Sequence, residues 1–245
     1  MIEPLQLLVS VANATEARDA VAGGADLIDA KDPSSGALGA VSLPMLREIH
    51  AAVAGRRVVS AALGDADDEA TTERMAFEYA ATDVGFVKVG FAGITSAARV
   101  EQLIAAAIRG VRAADRRSCG VVAVAYADTA GTTSVDRMAL VAAARGAGAT
   151  GVLLDTERKG GPGLLRLVSP ETIAAWVARA HGEGLTAALA GKLTAVDLPM
   201  VCETGADIVG VRGAACASGR SGPIVDSRIR ALKTALLPSF HLTRL

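Results

Sequence analysis

Four segments of the chain repeat one pattern: GADLIDAK (24–31), ATDVGFVK (81–88), GATGVLLD (148–155) and GADIVGVR (205–212). Each reads as a helix end, a turn, a short apolar strand and a charged last residue. Internal repeats of this kind mark one supersecondary unit copied along the chain. A weaker version closes three further runs, VVSAALGD at Asp65, VVAVAYAD at Asp128 and TAALAGK at Lys192. With the N-terminal LLVS, eight strands are expected: Leu7–Ser10, Leu27–Ala30, Val58–Leu63, Phe86–Val89, Val121–Tyr126, Val152–Asp155, Thr186–Ala190 and Ile208–Val211. Segments of helical periodicity lie between them, including Asn13–Ala22, Leu43–Val53, Ser96–Ala113, Val135–Arg145 and Pro170–Glu183. Asn13, Ser42 before Pro44, and Ser169 before Pro170 and Glu171 are start signals. Glycines at 23, 146, 184 and 205 fall where helices should stop.

Strands that are apolar without alternation are buried on both faces, which requires a parallel sheet covered by helices. Eight strand-helix units in 245 residues match a single-domain (β/α)8 TIM barrel, an α/β fold. No Pro/Ser-rich linker divides the chain, so residues 1–245 form one domain, with 237–245 a C-terminal tail.

A formal net charge of −1 argues against nucleic acid and anionic membrane surfaces as partners. Half of the residues are hydrophobic, but no apolar stretch approaches the roughly 20 residues that span a bilayer. The start MIEPLQLLVS lacks a basic region followed by a long apolar segment, so no secretory leader is expected. Cys119, Cys202 and Cys216 are isolated, which suits a reducing cytoplasm and neither a disulfide frame nor a zinc site. His50, His181 and His241 are too scattered to propose a metal cluster.

Alternate strands of a barrel fill one layer of its interior. The repeat therefore predicts a layer of Lys31, Lys88, Asp155 and Arg212 at the C-terminal mouth, where barrel active sites lie. Asp29 and Lys31, two residues apart, share a face of strand two. Lys159 follows Asp155 in DTERKGG, just beyond strand six. Three lysines converging on one mouth repel one another, and burial adds to the effect, favouring neutral amines. A neutral amine attacks carbonyls to form a Schiff base or serves as a general base. Asp29 and Asp155 are placed to orient those amines or shuttle protons. A lysine at a strand end is more often a solvated cap, and for Lys159 alone that reading is preferred. Asp29 inside an apolar run is harder to dismiss, because a buried carboxylate without a partner is costly.

The loops after strands seven and eight, AGKL (190–193) and VRGAACASG (211–219), are where barrels hold phosphate. Gly191, Gly213 and Ala214 let backbone N–H groups approach an anion, with Lys192 and Arg212 supplying charge. KDPSSGALGA (31–40) reads as either a cover over a ligand or a surface connection. No GxGxxG, Walker A, HExxH or nucleophile-elbow pattern occurs. Trp176 reads as core or subunit packing. Tyr126 reads as a buried strand aromatic or a substrate contact.

Taken together, LLVSV, GGADLIDAKDP, GALGA, VSAALGD, FVKVG, AYAD, LLDTERKGG, AALAG and DIVGVRGAAC resemble the (5-formylfuran-3-yl)methyl phosphate synthase family from about residue 5 to residue 218. The resemblance implies a barrel that joins two molecules of glyceraldehyde 3-phosphate, with loss of phosphate and water, in methanofuran-type cofactor biosynthesis. It further implies Lys31 as the Schiff-base residue and Lys88 as proton acceptor, with Asp29, Asp155 and Lys159 moving protons. Lys192, Arg212 and the backbone of Gly213, Ala214 and Ala215 would retain the surviving phosphate. The lysine amine is the electron sink, so no cofactor is expected, and the only partner expected is the triose phosphate. Alternatives are a class I aldolase acting on another sugar phosphate, an isomerase, and a non-catalytic barrel binding an anionic metabolite. Oligomeric state stays open, since ALKTALLPSFHLTRL suits either a last helix plus tail or a subunit contact in a homo-oligomer.

Overall fold

All eight apolar runs form strands, and they close on one another. A computed structural model describes residues 4–115, 118–158 and 160–236, so the expected tail at 237–245 lies outside the described residues. Strands β1 (Gln6–Val11), β2 (Leu27–Ala30), β3 (Val58–Asp65), β4 (Phe86–Gly90), β5 (Gly120–Tyr126), β6 (Gly151–Asp155), β7 (Thr186–Leu189) and β8 (Ile208–Val211) form a closed parallel barrel in chain order. Around it run α1 (Ala14–Ala22), α2 (Leu43–Val53), α3 (Glu69–Ala80), α4 (Ala97–Ala113), α5 (Arg137–Ala147), the single turn α6 (Leu164–Leu167), α7 (Pro170–Gly182), α8 (Leu198–Glu203) and α9 (Asp226–Ala235). The chain is a single-domain TIM barrel.

The helix starts follow from capping chemistry. Asn13, Ser42, Asp68, Ser96, Asp136 and Ser169 each accept a backbone N–H from the first turn that they precede. The outward faces of the strands, such as Leu7, Val9 and Val11 of β1, pack against Leu46, Ile49, Leu103 and Ile104 of the helices in one continuous core. Each such aliphatic burial contributes roughly 1.5–3 kcal/mol. Trp176 belongs to this core, fully buried, with its indole N–H donated to the Arg137 carbonyl at 3.2 Å.

The inward faces are different. Pairings around the barrel, advanced two residues for every two strands to follow its stagger, group the even-strand side chains into layers. The lowest holds Leu27, Phe86, Gly151 and Ile208. The next holds Asp29, Lys88, Leu153 and Gly210, and the uppermost Lys31, Gly90, Asp155 and Arg212. Between them the odd strands insert Leu8, Ser60, Val122 and Ala188, then Ser10, Ala62, Val124 and Ala190. Glycine and alanine crowd the β6–β8 side of these layers, so the barrel is not filled there. A cavity of about 370 Å³ runs from the mouth down to Phe86, Gly151, Thr186 and Ile208.

The loop from β2 to α2 settles the other half of the mouth. Ala37 and Leu38 insert into the barrel top against Ala62, Val124, Tyr126 and Leu153, a separate apolar cluster inside the staves. The loop is therefore a cover over the β3–β5 side, and the β6–β8 side remains open.

Candidate active site

The centre of the cavity is a buried ion pair. Asp29 is fully buried; its carboxylate accepts the hydroxyls of Ser10 at 2.9 Å and Ser60 at 2.8 Å, and faces the Lys88 ammonium at 2.6 Å. A carboxylate removed from water needs its lone pairs satisfied, and these three donors from β1, β3 and β4 do so. The cost of burying Asp29, noted from its place in an apolar run, is met in this way. Ser10 and Ser60 were not singled out in the sequence. Their signal is a hydroxyl inside each of two apolar runs, LLVSV and VVSAAL, but only the register reveals that both flank Asp29.

The expected layer of Lys31, Lys88, Asp155 and Arg212 is corrected at one position. β4 begins at Phe86, two residues later than the repeat alignment implies, so Lys88 drops one layer and Gly90 takes its place. That place is already filled by neighbours: a Cβ on Gly90 would lie 2.2 Å from Asp65 Oδ1 and 2.4 Å from Tyr126 Oη. The Tyr126 hydroxyl donates to Asp65 at 2.7 Å, and burial followed by the Asp65 charge pushes its pKa well above the usual phenol range. Tyr126 is thus a buried strand aromatic held as a neutral donor. The lysine repulsion expected from sequence is also changed, because Lys88 faces a carboxylate.

Lys31 follows β2, is buried, and lines the cavity with Lys88 and Asp155. Asp155 ends β6, buried, with Oδ1 accepting the Thr156 N–H at 2.7 Å. The following loop is pinned by Asp128, whose two carboxylate oxygens accept the Glu157 and Arg158 amides at 2.8 Å each. Lys159, the fifth candidate, lies outside the described residues.

At the β7–β8 end, Gly191 adopts φ 108°, and a Cβ there would press on Thr156 and Leu164. Lys192 at φ 58° donates Nζ to the Gly161 carbonyl. Gly213–Ala215 form a 3₁₀ turn in which the Ala215 amide bonds the Arg212 carbonyl at 2.9 Å. The amides of Gly213 and Ala214 meet no carbonyl among the described residues, so two of the three backbone donors expected there remain for an anion. Arg212 is committed elsewhere: it pairs with buried Glu16 at 2.8 Å and 3.2 Å, and donates to the carbonyls of Ser10 at 3.0 Å and Arg220 at 2.6 Å. Its guanidinium lines the cavity but is largely neutralised by Glu16.

Arg220 lines the same cavity and was not singled out in the sequence. Its signal is a lone arginine among small residues, ASGRSG, at the end of the loop after β8. One Nη2 donates to the Gly36 carbonyl at 3.1 Å, tying that loop to the β2–α2 cover. Burial, and then the charge of Arg212, lower its pKa below the ordinary arginine value.

Amines, carboxylates and an amide cradle around one partly apolar cavity suit carbonyl chemistry on a small phosphorylated substrate. A family model described as 4-HFC-P synthase matches residues 7–233. A protein of Methanopyrus kandleri named (5-formylfuran-3-yl)methyl phosphate synthase is 40% identical over 236 residues, covering 94% of this chain and 98% of its own. A protein of the same name from Methanocaldococcus jannaschii is 37% identical over 230 residues, covering 93% and 97%. Among solved structures, a 3-hexulose-6-phosphate synthase superposes with TM-score 0.61 at 20% identity, covering 93% of this chain and 99% of its own. KGPDC from Streptococcus mutans gives 0.68 at 13%, covering 96% and 98%. At such identities these two likenesses concern the fold alone.

Proposed function

The chain belongs to the 4-HFC-P synthase family, and we propose that it condenses two molecules of glyceraldehyde 3-phosphate to (5-formylfuran-3-yl)methyl phosphate through a Schiff base on Lys31. The reaction balances without an oxidant: two triose phosphates equal one furan phosphate, one inorganic phosphate and two waters. The observation that carries this reading is the Lys88–Asp29 pair, buried at 2.6 Å one layer below Lys31 in the same cavity.

Lys31 attacks a carbonyl carbon and, with loss of water, forms an iminium. The iminium withdraws electrons, so a proton on the adjacent carbon leaves more easily and carbon-carbon bond formation follows. Lys88 begins as an ammonium facing Asp29, polarises a substrate oxygen, and accepts a substrate proton after passing its own to the carboxylate. Asp155 and Lys159 carry protons during dehydration and ring closure. The Gly213 and Ala214 amides, with Gly191 and Lys192, hold the phosphate that survives in the product, and the Arg212–Glu16 pair and the Ala215 amide shape that turn.

Borohydride trapping with glyceraldehyde 3-phosphate, peptide mapping and an ultraviolet scan test the reading together. The expected result is an adduct on Lys31, lost in Lys31→Ala, and a new near-ultraviolet furan absorbance from the untrapped reaction. An adduct without that absorbance would indicate an aldolase acting on another sugar phosphate. Neither signal, from folded protein, would leave the binding-barrel alternative.

A further inference from the structure

We propose that Arg220 forms a second anion subsite, which grips the phosphate of the second triose and receives it as the leaving group. The proposal rests on the two-triose reading above, which needs two phosphates in one cavity and keeps only one. The described cations lining that cavity are Lys31, Lys88, Lys192, Arg212 and Arg220. Lys88 is paired with Asp29 and Arg212 with Glu16, so neither offers a net charge to an anion. Lys31 is needed for the covalent step. Lys192 and Arg220 remain, and they stand on different lips. Lys192 reaches Gly161 in the loop beyond β6, whereas Arg220 reaches Gly36 in the β2–α2 cover.

Arg220 is suited to the task by what it lacks. Its guanidinium carries five N–H donors, and only the bond to Gly36 engages one of them among the described residues. It forms no salt bridge with a described carboxylate; Arg212 stands near enough to repel it, and Asp155 and Asp32 attract it only from a distance. A half-buried guanidinium in that condition gains from a dianion, which it can meet with two parallel hydrogen bonds. What the side chains reach separates the two phosphates. The exposed Lys192 reaches the loop beyond β6 beside the Gly213 and Ala214 amides, whereas Arg220, whose backbone abuts Gly213, turns its half-buried guanidinium to the β2–α2 cover.

In the elimination, a proton leaves C2 of the second triose, the carbon adjacent to that triose's own aldehyde, and passes to a base, and its electron pair becomes the C2–C3 double bond. The C–O bond to phosphate breaks with its pair going to the phosphate oxygen. Arg220 stabilises the charge that develops there.

The test compares wild type, R220A, R220K and R220Q with glyceraldehyde 3-phosphate. It reads three signals: the one-triose adduct trapped on Lys31 by borohydride, furan absorbance, and release of inorganic phosphate. In R220A the adduct is expected at the wild-type level, while furan and phosphate appear together about 100-fold more slowly. R220K, which keeps charge without the fork, should recover part of that rate. R220Q carries the comparison if thermal melting shows R220A to be unfolded. Furan formation at the wild-type rate in the uncharged variants overturns the proposal. So does an adduct that falls in step with product, which would put Arg220 on the first triose. A wild type that forms no furan overturns the synthase reading itself, and this subsite with it.

Discussion

Asp29 is the residue on which the site turns, and its partners differ in what they contribute. Ser60→Ala removes one donor to a buried carboxylate that keeps Lys88 and Ser10. The expected cost is about 1–2 kcal/mol in denaturant unfolding, with turnover lowered because the carboxylate is less well aligned. Lys88→Met leaves Asp29 buried without a counter-charge and should cost about 3–5 kcal/mol, as well as abolishing furan formation. Equal losses in the two variants would show that the ion pair is not the dominant interaction. Asp29 and Lys31 were legible in the sequence because charge inside an apolar run is conspicuous. The level of Lys88 was set wrongly by the repeat alignment, although the strand expected at Phe86–Val89 starts where β4 does and makes Lys88 its third residue, as Asp29 is in β2. Arg212 read as a phosphate ligand because its partner Glu16 lies in α1, far away in the chain.

Among the elements, the repeated turn has a second use before β2 and β8, at the opposite end of the barrel. Asp26, just before β2, accepts the Leu7 amide of β1 at 2.7 Å, and Asp207, just before β8, accepts the Ala187 amide of β7 at 2.7 Å. Each carboxylate thus ties the start of its strand to the neighbouring one. Asp207→Ala should cost about 1 kcal/mol, roughly 2–4 °C in Tm, by loss of that bond together with the exposed contact to His181 at 2.9 Å. Turnover should be unchanged, because the N-terminal face lies away from the chemistry. A fall in kcat without a fall in Tm would contradict this division. Strands and capped helices were legible because their signals are local: apolar runs, Asn and Ser at helix starts. The β2–α2 loop was readable only as small and long. Its role depends on Ala37 and Leu38 meeting Tyr126 and Leu153, residues from two other strands.

The whole molecule is a barrel whose interior is open on one side. Eight strand-helix units could be counted from the sequence, so the closed fold was legible. The cavity was not, because it depends on where inward glycines and alanines of β6, β7 and β8 fall relative to one another. Ala188→Leu tests what the space is for. Because the side chain enters existing space, stability should stay within about 1 kcal/mol of wild type, while furan formation falls at least about tenfold. Retained turnover with reduced stability would mean that the substrate does not use the lower barrel.

The Glu16–Arg212 pair spans 196 residues and fastens α1 to the turn after the last strand. On a ribosome, Glu16 emerges 196 residues before its counter-charge. Until then its carboxylate has the Ala12 amide at 2.7 Å but no counter-charge, so the first helix cannot settle into its final packing on the nascent barrel. Maturation of the barrel is thereby tied to the emergence of its last strand: closing the ring and neutralising Glu16 are one event.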